Sequence, residues 1–334
     1  VLASLPSFLR YTYQIRLARL KLSLKNIKIC CFHWVTAIMS KYQIDSAAFF
    51  ERMIFILTVD DVLLRNEWGG DVPTIGYKEI ETEADLEVLD LCSDLGISAT
   101  VFIPAVVAKR FPRIMRSISR KRFEVAGHGY KHENFRNLSL SRQRHLIETS
   151  LKSIEETIGR EVTGWRSPGL LMNSRIRKAI EQSRISWCSN VVLPSWLGHV
   201  PFTEYGRKVE IPITSVDYNM YEKGFPPHKV LQCWLKDFYR VHSRESYRIF
   251  TLVIHPWVEV HRKERLEALR TFLQIVSSKD NIHFLTGSDV YKCYLSSNVG
   301  SCYRAFLRVA SKLIHHPRKL VARYRRGLEL LYRV

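Results

Sequence analysis

The sequence predicts an α/β fold in which a parallel sheet, its strands alternating with helices, closes into a barrel. Two observations carry that prediction. Short apolar runs of strand length recur along the chain and several end on a reactive polar group, as in Ile54-Phe55-Ile56-Leu57-Thr58-Val59-Asp60-Asp61. Between them lie segments whose apolar residues recur at helical spacing. Alternation of this kind implies right-handed crossovers and a parallel sheet, and about seven repeats favour closure over an open sheet.

The elements follow in order. A strand over 53–59 leads into a long polar loop, Leu63 to Thr82, that holds Trp68, Gly69, Gly70 and Pro73. Loops of that length inside compact domains are functional or disordered. Ala84, Val88, Leu91 and Leu95 then repeat at helical spacing, and Gly96 ends the helix. A strand over 99–103 is followed by a helix from Pro104 to about Ser119, and a third strand, 123–126, runs into Gly127-His128. Ser141 is placed to cap a helix whose buried stripe is Leu146, Ile147, Leu151, Ile154 and Ile158, with Gly159 as its stop. Strand 162–165, a helix from Asn173 to Gln182, and strands 185–189 and 209–213 come next. A helix over 228–241, strand 249–255, a helix over 264–277, strand 282–285 and a helix over 287–295 complete the series.

The 334 residues carry a formal net charge of +19, which favours an anionic partner such as a membrane surface or an acidic glycan. Composition, at 46% hydrophobic and 25% charged, is that of a globular protein. Nucleic-acid binding would rest on charge alone, since no reading motif accompanies it, and none is expected. Cysteines stand at 30, 31, 92, 188, 233, 293 and 302, without a Cys-x-x-Cys pair, so a reducing compartment fits better than a disulfide framework. No apolar run reaches the roughly 18 residues of a membrane span.

Three segments are distinguished. Residues 1–52 form a basic N-terminal extension, read as a surface-lying amphipathic helix or a poorly ordered arm. Because the chain opens on Val1 and Met53 stands at the first strand, this segment reads equally as a mis-called start. Residues 53–290 hold the α/β domain, and 291–334 form a basic amphipathic tail, broken at Pro317, that either lies on a membrane or caps the barrel floor.

Reactive groups in such folds collect at the carboxyl ends of strands. Asp60 and Asp61 end the first. Adjacent carboxylates repel, so a proton or a metal belongs between them. His128 and His132 follow the third strand, four apart on what reads as one face of a helical turn, a spacing suited to a shared metal. With one Asp they make three protein ligands and leave coordination open, as catalytic sites do. Gly164-Trp165-Arg166-Ser167-Pro168-Gly169 sets at another strand end a guanidinium able to hold a carboxylate ionised. Leu252-Val253-Ile254-His255-Pro256-Trp257 ends the last strong strand on an imidazole.

Four such clusters in this order resemble the polysaccharide deacetylases of the NodB-homology type, carbohydrate esterase family four. The resemblance runs over about residues 53–290, through Thr58-Val59-Asp60-Asp61-Val62, His128 with His132, Arg166-Ser167-Pro168 and Leu252-Val253-Ile254-His255-Pro256. It implies a distorted (β/α)7 barrel of the NodB-homology type and a divalent metal, usually zinc. It also implies roles: Asp60 as general base, Asp61, His128 and His132 as metal ligands, Arg166 as the group that keeps Asp60 ionised, and His255 as general acid. Trp68, Tyr130, Pro168, Gly169 and Trp257, on the flanking segments, are read as substrate-facing. Val62 stands where the family carries Gly, Gly169 where many members carry Tyr, and Cys188-Ser189-Asn190 where relatives show Asp-Ser-Ser.

The expected activity is removal of N-acetyl from an amino sugar in a bacterial surface glycan or its lipid-linked precursor. The alternatives are a deformylase of a lipid-linked amino sugar, a hydrolase of small cyclic amides, and a non-catalytic basic protein that binds glycan or membrane. Basic termini and unpaired cysteines place the protein in the cytoplasm or peripherally at the inner membrane face.

Overall fold

The computed structural model describes residues 53–60, 80–120, 123–193, 195, 202–204, 208–243, 248–260 and 262–296. The expected basic extension, most of the basic tail and residues 61–79 lie outside these residues; 80–82, expected in the loop after the first strand, are instead the start of a helix.

The sheet is built on β1 (Met53–Asp60), every residue of which is buried. An eight-residue run with no polar alternation can only be satisfied between neighbours on both edges and cover on both faces. It has them. β2 (Ala99–Ile103) and β9 (Ile249–Ile254) pair parallel to it on either side, and β10 (Ile282–Phe284) pairs with its first half. From β2 the sheet continues through β3 (Glu124–Gly127), β4 (Gly164–Trp165), β5 (Trp187–Cys188) and β7 (Lys208–Glu210), all parallel. β6 (Phe202–Glu204) closes that edge as an antiparallel hairpin partner of β7, and β8 (Ser215–Val216) flanks β9 at the other. The fold is thus α/β with a largely parallel sheet, curled as a partial barrel.

The helices are α1 (Ile80–Asp94), α2 (Ala105–Arg110), α3 (Pro112–Arg120), α4 (Leu140–Ile158), α5 (Ser174–Glu181), α6 (Tyr218–Glu222), α7 (Pro227–His242), α8 (Pro256–Glu259), α9 (Lys263–Ser277) and α10 (Gly287–Ser296). Two local expectations are corrected. The single helix after Pro104 is two, because Phe111 leaves helical backbone ahead of Pro112, whose ring excludes the helical conformation from the residue before it. The cap of α4 is Ser139, not Ser141: Ser139 Oγ accepts from Arg142 N at 3.2 Å and the helix already begins at Leu140. Gly159 ends α4 at φ 71°, as its position predicted, and Asn173 caps α5 through Arg175 N and Ile176 N. No helix among the described residues is long and apolar enough to cross a membrane.

The core under the sheet is aromatic. Phe55 stacks on Phe250 at 5.5 Å and meets Phe272 and Phe284, while Trp234 and Phe238 pack on Phe272. At the far edge the Trp187 ring lies where Gly164 and Gly287 approach it. A Cβ on either glycine would fall 2.2 Å from that ring, so both positions require the missing side chain.

Parallel register then brings the strand ends together. Val59 pairs with Ile254, so Asp60 and His255 are the next residues on neighbouring strands. Asp60 pairs with Phe102, Ile103 with Gly127, and Gly127 with Trp165, which puts His128 and Arg166 on the same rim.

Candidate active site

Thr58 and Asp60 are two apart on β1 and so share a face. Arg166 reaches both. Its Nη1 donates to Asp60 Oδ1 at 2.5 Å and to Thr58 Oγ1 at 2.9 Å, its Nε to the Ser189 carbonyl at 2.9 Å, and its Nη2 to Ser189 Oγ at 2.9 Å. The guanidinium stacks over Phe102 at 4.1 Å. Arg166 is fully buried and Asp60 is 3% exposed. Burial pulls the Arg166 pKa down and the Asp60 carboxylate opposes the shift. A buried charge of this kind persists only when paired and fully hydrogen-bonded.

The loop carrying Arg166 is braced from below. Ser167 N donates to Asn190 Oδ1 at 2.7 Å, and the buried Glu210 carboxylate accepts from Asn190 N and from Val191 N at 2.8 Å.

His128 and His132 come together with ring centroids 4.8 Å apart. They do so on an irregular loop rather than on the helical turn their spacing predicted. Gly129 takes φ 87° and His132 φ 62°, and the first two N–H groups of α2 donate to the carbonyls of Gly129 and Tyr130. Left-handed backbone at both ends, fixed by those bonds, turns the second imidazole back onto the first. A Cβ at Gly129 would meet Pro168 at 2.9 Å, so this loop and the Arg166 loop are in close apposition.

The His128 Nδ1 lies 2.9 Å from the Arg166 carbonyl, an acceptor that only an N–H can satisfy. The proton therefore sits on Nδ1 and the Nε2 lone pair is available to a ligand. Burial pushes the His128 pKa down to about 4, with Asp60 opposing. Burial and the neighbouring His128 hold His132 well below the ordinary histidine value. Both rings are neutral at pH 7, as metal ligands must be. Among the described residues no third His, Cys, Asp or Glu completes a ligand cluster with them. Asp61, the expected third ligand, lies outside the described residues. The donors that are described fit a divalent ion: two neutral imidazoles side by side, one with its tautomer fixed by a carbonyl.

Across the rim, His255 Nδ1 lies 2.6 Å from Asp217 Oδ1, and His255 N donates to Asp217 Oδ2 at 2.6 Å. Burial works against the His255 cation, but the buried Asp217 carboxylate outweighs it, helped by Asp60, and the imidazole pKa is raised. Tyr218 and Trp257 flank the ring, with centroids 5.9 and 6.0 Å from it.

The remaining expected residues are placed as follows. Pro168 is buried and opens a short 3-10 turn in which Gly169 takes φ 61°. Tyr130 is half-buried, and its hydroxyl accepts from Lys109 Nζ of α2 at 3.3 Å. Trp68 lies outside the described residues. Sequence reasoning missed Asp217, Glu210 and Tyr218, and singled out Ser189 and Asn190 only as a departure from the family pattern, without a role. Asp217 follows β8, a two-residue strand that the sequence did not announce.

Residues 53–186 match the sequence model of the family described as polysaccharide deacetylase. The matched span holds Asp60, His128, His132 and Arg166, and the sheet carries His255 to the same rim of the deacetylase fold. A peptidoglycan deacetylase from Helicobacter pylori is 20% identical over 251 residues, covering 63% of this chain and 83% of that protein. Among solved structures, the fold is similar to that of Puue allantoinase, with a TM-score of 0.64 and 15% identity, covering 75% of this chain and 93% of the other. It is also similar to a probable polysaccharide deacetylase from Pseudomonas aeruginosa PAO1, with a TM-score of 0.62 and 16% identity, covering 75% and 94%.

Proposed function

We propose that this chain is a metal-dependent hydrolase of the polysaccharide deacetylase family that removes the N-acetyl group from an amino sugar in a bacterial surface glycan or its lipid-linked precursor. The observation that carries this reading is the division of labour at one rim. A carboxylate is held charged by a buried guanidinium, two neutral imidazoles stand beside it, and an imidazole of raised pKa stands opposite.

Asp60 takes the proton of the attacking water. Arg166 keeps it ionised, and its bonds to Thr58 and Ser189 stop the guanidinium from following the carboxylate as charge is lost. His255 supplies a proton to the sugar nitrogen, because an amine leaves an amide only when protonated. Asp217 fixes the proton of that ring on Nδ1 in the neutral form and stabilises the cation that precedes transfer. The Gly169 N–H is the backbone donor assigned to the developing oxyanion. His128 and His132, with Asp61, would hold a divalent ion, zinc foremost, whose chemistry is to polarise the amide carbonyl and acidify a water. Tyr218 and Trp257 give the face on which a sugar ring and its acyl group rest, next to the proton donor.

The peptidoglycan substrate of the H. pylori relative makes wall glycan oligomers the first substrates to assay. Acetate release from N-acetylglucosamine oligomers by zinc-loaded protein is expected; formate release from an N-formyl sugar alone, or turnover of a cyclic amide alone, would move the assignment to those substrates. Most of the excess positive charge lies outside 53–296, Lys and Arg exceeding Asp and Glu by six over 1–52 and by eight over 297–334. We assign those segments to an anionic membrane surface at the inner face, which co-sedimentation with anionic but not neutral vesicles would test.

A further inference from the structure

One buried acid beside this site has no part in the mechanism above. β9 ends on His255, and the single turn of α8 places Glu259 four residues on, its N–H donating to the His255 carbonyl at 3.2 Å. The Glu259 side chain turns inward and is fully buried. Its carboxyl lies within hydrogen-bonding reach of Asp217, yet neither of its oxygens receives a hydrogen bond from a described donor. Arg265 of α9 is near, but its guanidinium stacks on Tyr221 at 4.2 Å and donates to the Val258 carbonyl at 3.1 Å. The charged and titratable groups that bear on Glu259 among the described residues are Asp217, Arg265 and the Tyr221 hydroxyl.

Two buried carboxyls in contact cannot both ionise. Asp217 already accepts from Tyr218 N, His255 N and the His255 ring, at 2.5, 2.6 and 2.6 Å. Three donors stabilise its charge, and Glu259 has none. The charge therefore stays on Asp217 and the proton on Glu259. Burial and the Asp217 charge both push Glu259 well above the ordinary carboxyl range, in the same direction.

We propose that Glu259 is a positioning residue of the hydrolysis: a neutral carboxylic acid whose O–H donates a hydrogen bond to Asp217 and thereby sets the direction and strength of the Asp217–His255 hydrogen bond. The inference rests on His255 being the proton donor of the proposed reaction. A fourth donor on Asp217 draws off part of its charge. His255 then remains protonated in the resting enzyme but yields its proton more readily to the leaving nitrogen. Without that donor Asp217 becomes a stronger base, holds the imidazolium more tightly, and weakens the acid.

The test compares zinc-loaded wild type with Glu259→Gln and Glu259→Met. Gln keeps an N–H donor at the same place with no charge, so the His255 pKa, read by NMR titration of the labelled imidazole, stays where it is and kcat changes by less than about threefold. Met keeps the bulk without the donor, so the His255 pKa rises and kcat falls about tenfold or more at unchanged KM. A fall in the His255 pKa in Glu259→Gln would mean that Glu259 is an anion, and an unchanged His255 pKa in Glu259→Met would mean that it does not act on the pair. Either result overturns the proposal. Should Glu259→Met not fold, the infrared difference spectrum of wild type minus Glu259→Gln at neutral pH decides: a protonated carboxyl band supports the proposal and a carboxylate band overturns it. The NMR and infrared readings need no turnover, so they stand apart from any failure of the deacetylase assay itself.

Discussion

Replacing Arg166 by Met removes four hydrogen bonds and a stack on Phe102, and leaves the Asp60 carboxylate in a site only 3% exposed. Removing one partner of a buried ion pair costs about 3–5 kcal/mol, most of it the penalty of the charge left behind. Arg166→Met should lower the unfolding free energy by that amount and reduce turnover at least about a hundredfold. Arg166→Lys keeps the charge, but one ammonium cannot span Thr58, Asp60 and Ser189 together. It should cost about 2 kcal/mol and fail to restore turnover. The informative protein is the double variant Asp60→Asn/Arg166→Met, in which the orphaned charge is gone. Urea unfolding followed by circular dichroism should show it more stable than Arg166→Met alone by about 2 kcal/mol or more, while acetate release stays absent. If the two changes instead add, Arg166 is a scaffold for its loop and the ionised Asp60 is not its purpose.

Further outcomes follow from the same geometry. In Asp217→Asn the amide cannot accept from the ring and both backbone groups as the carboxylate does. Wild-type His255 is protonated, and active as an acid, below its raised pKa, so activity falls as pH rises through that value; the variant should lose about 10²–10⁴-fold in kcat and its alkaline limb should move to lower pH. By linkage, the raised His255 pKa contributes stability below the unfolded-state value near 6.5 that fades as pH rises through the folded value; Asp217→Asn should remove that dependence in pH-dependent urea titrations. His132→Ala should reduce zinc affinity by at least about tenfold in competition with a chelator, with little change in apo-protein stability. Gly164→Ala places a methyl 2.2 Å from the buried Trp187 ring, whose Nε1 donates to Ser288 Oγ at 3.1 Å and cannot swing aside; a cost of about 3 kcal/mol is expected in the same unfolding assay.

The parts of the fold that were legible in the sequence are those in which local pattern and tertiary demand agree. β1 and β9 are continuous apolar runs because they are buried on both faces, and each announces a site residue at its carboxyl end. The capping and stop residues Asn173 and Gly159 are local chemistry. What was not legible is set over distance. β4 and β5 lie inside the strands expected over 162–165 and 185–189, but β8, two residues long, was not expected, because its pairing is fixed by its neighbour β9 rather than by any run of its own. The His128–His132 turn is not helical because the N–H groups of α2 hold its carbonyls, and that bond partner lies over twenty residues back. Asp217 is 38 residues from His255 in the chain, and only the parallel pairing of β8 with β9 makes them neighbours. Glu210 and Asn190 support Arg166 through the same kind of lateral register.

The most direct measurement is acetate release from N-acetylglucosamine oligomers by purified zinc-loaded protein, beside Asp60→Asn with its zinc content measured in parallel. Wild type should release acetate, and Asp60→Asn should lose at least about a hundredfold of the rate while binding zinc as before. Undiminished release from Asp60→Asn would contradict the assignment of Asp60 as the base on which the site is organised.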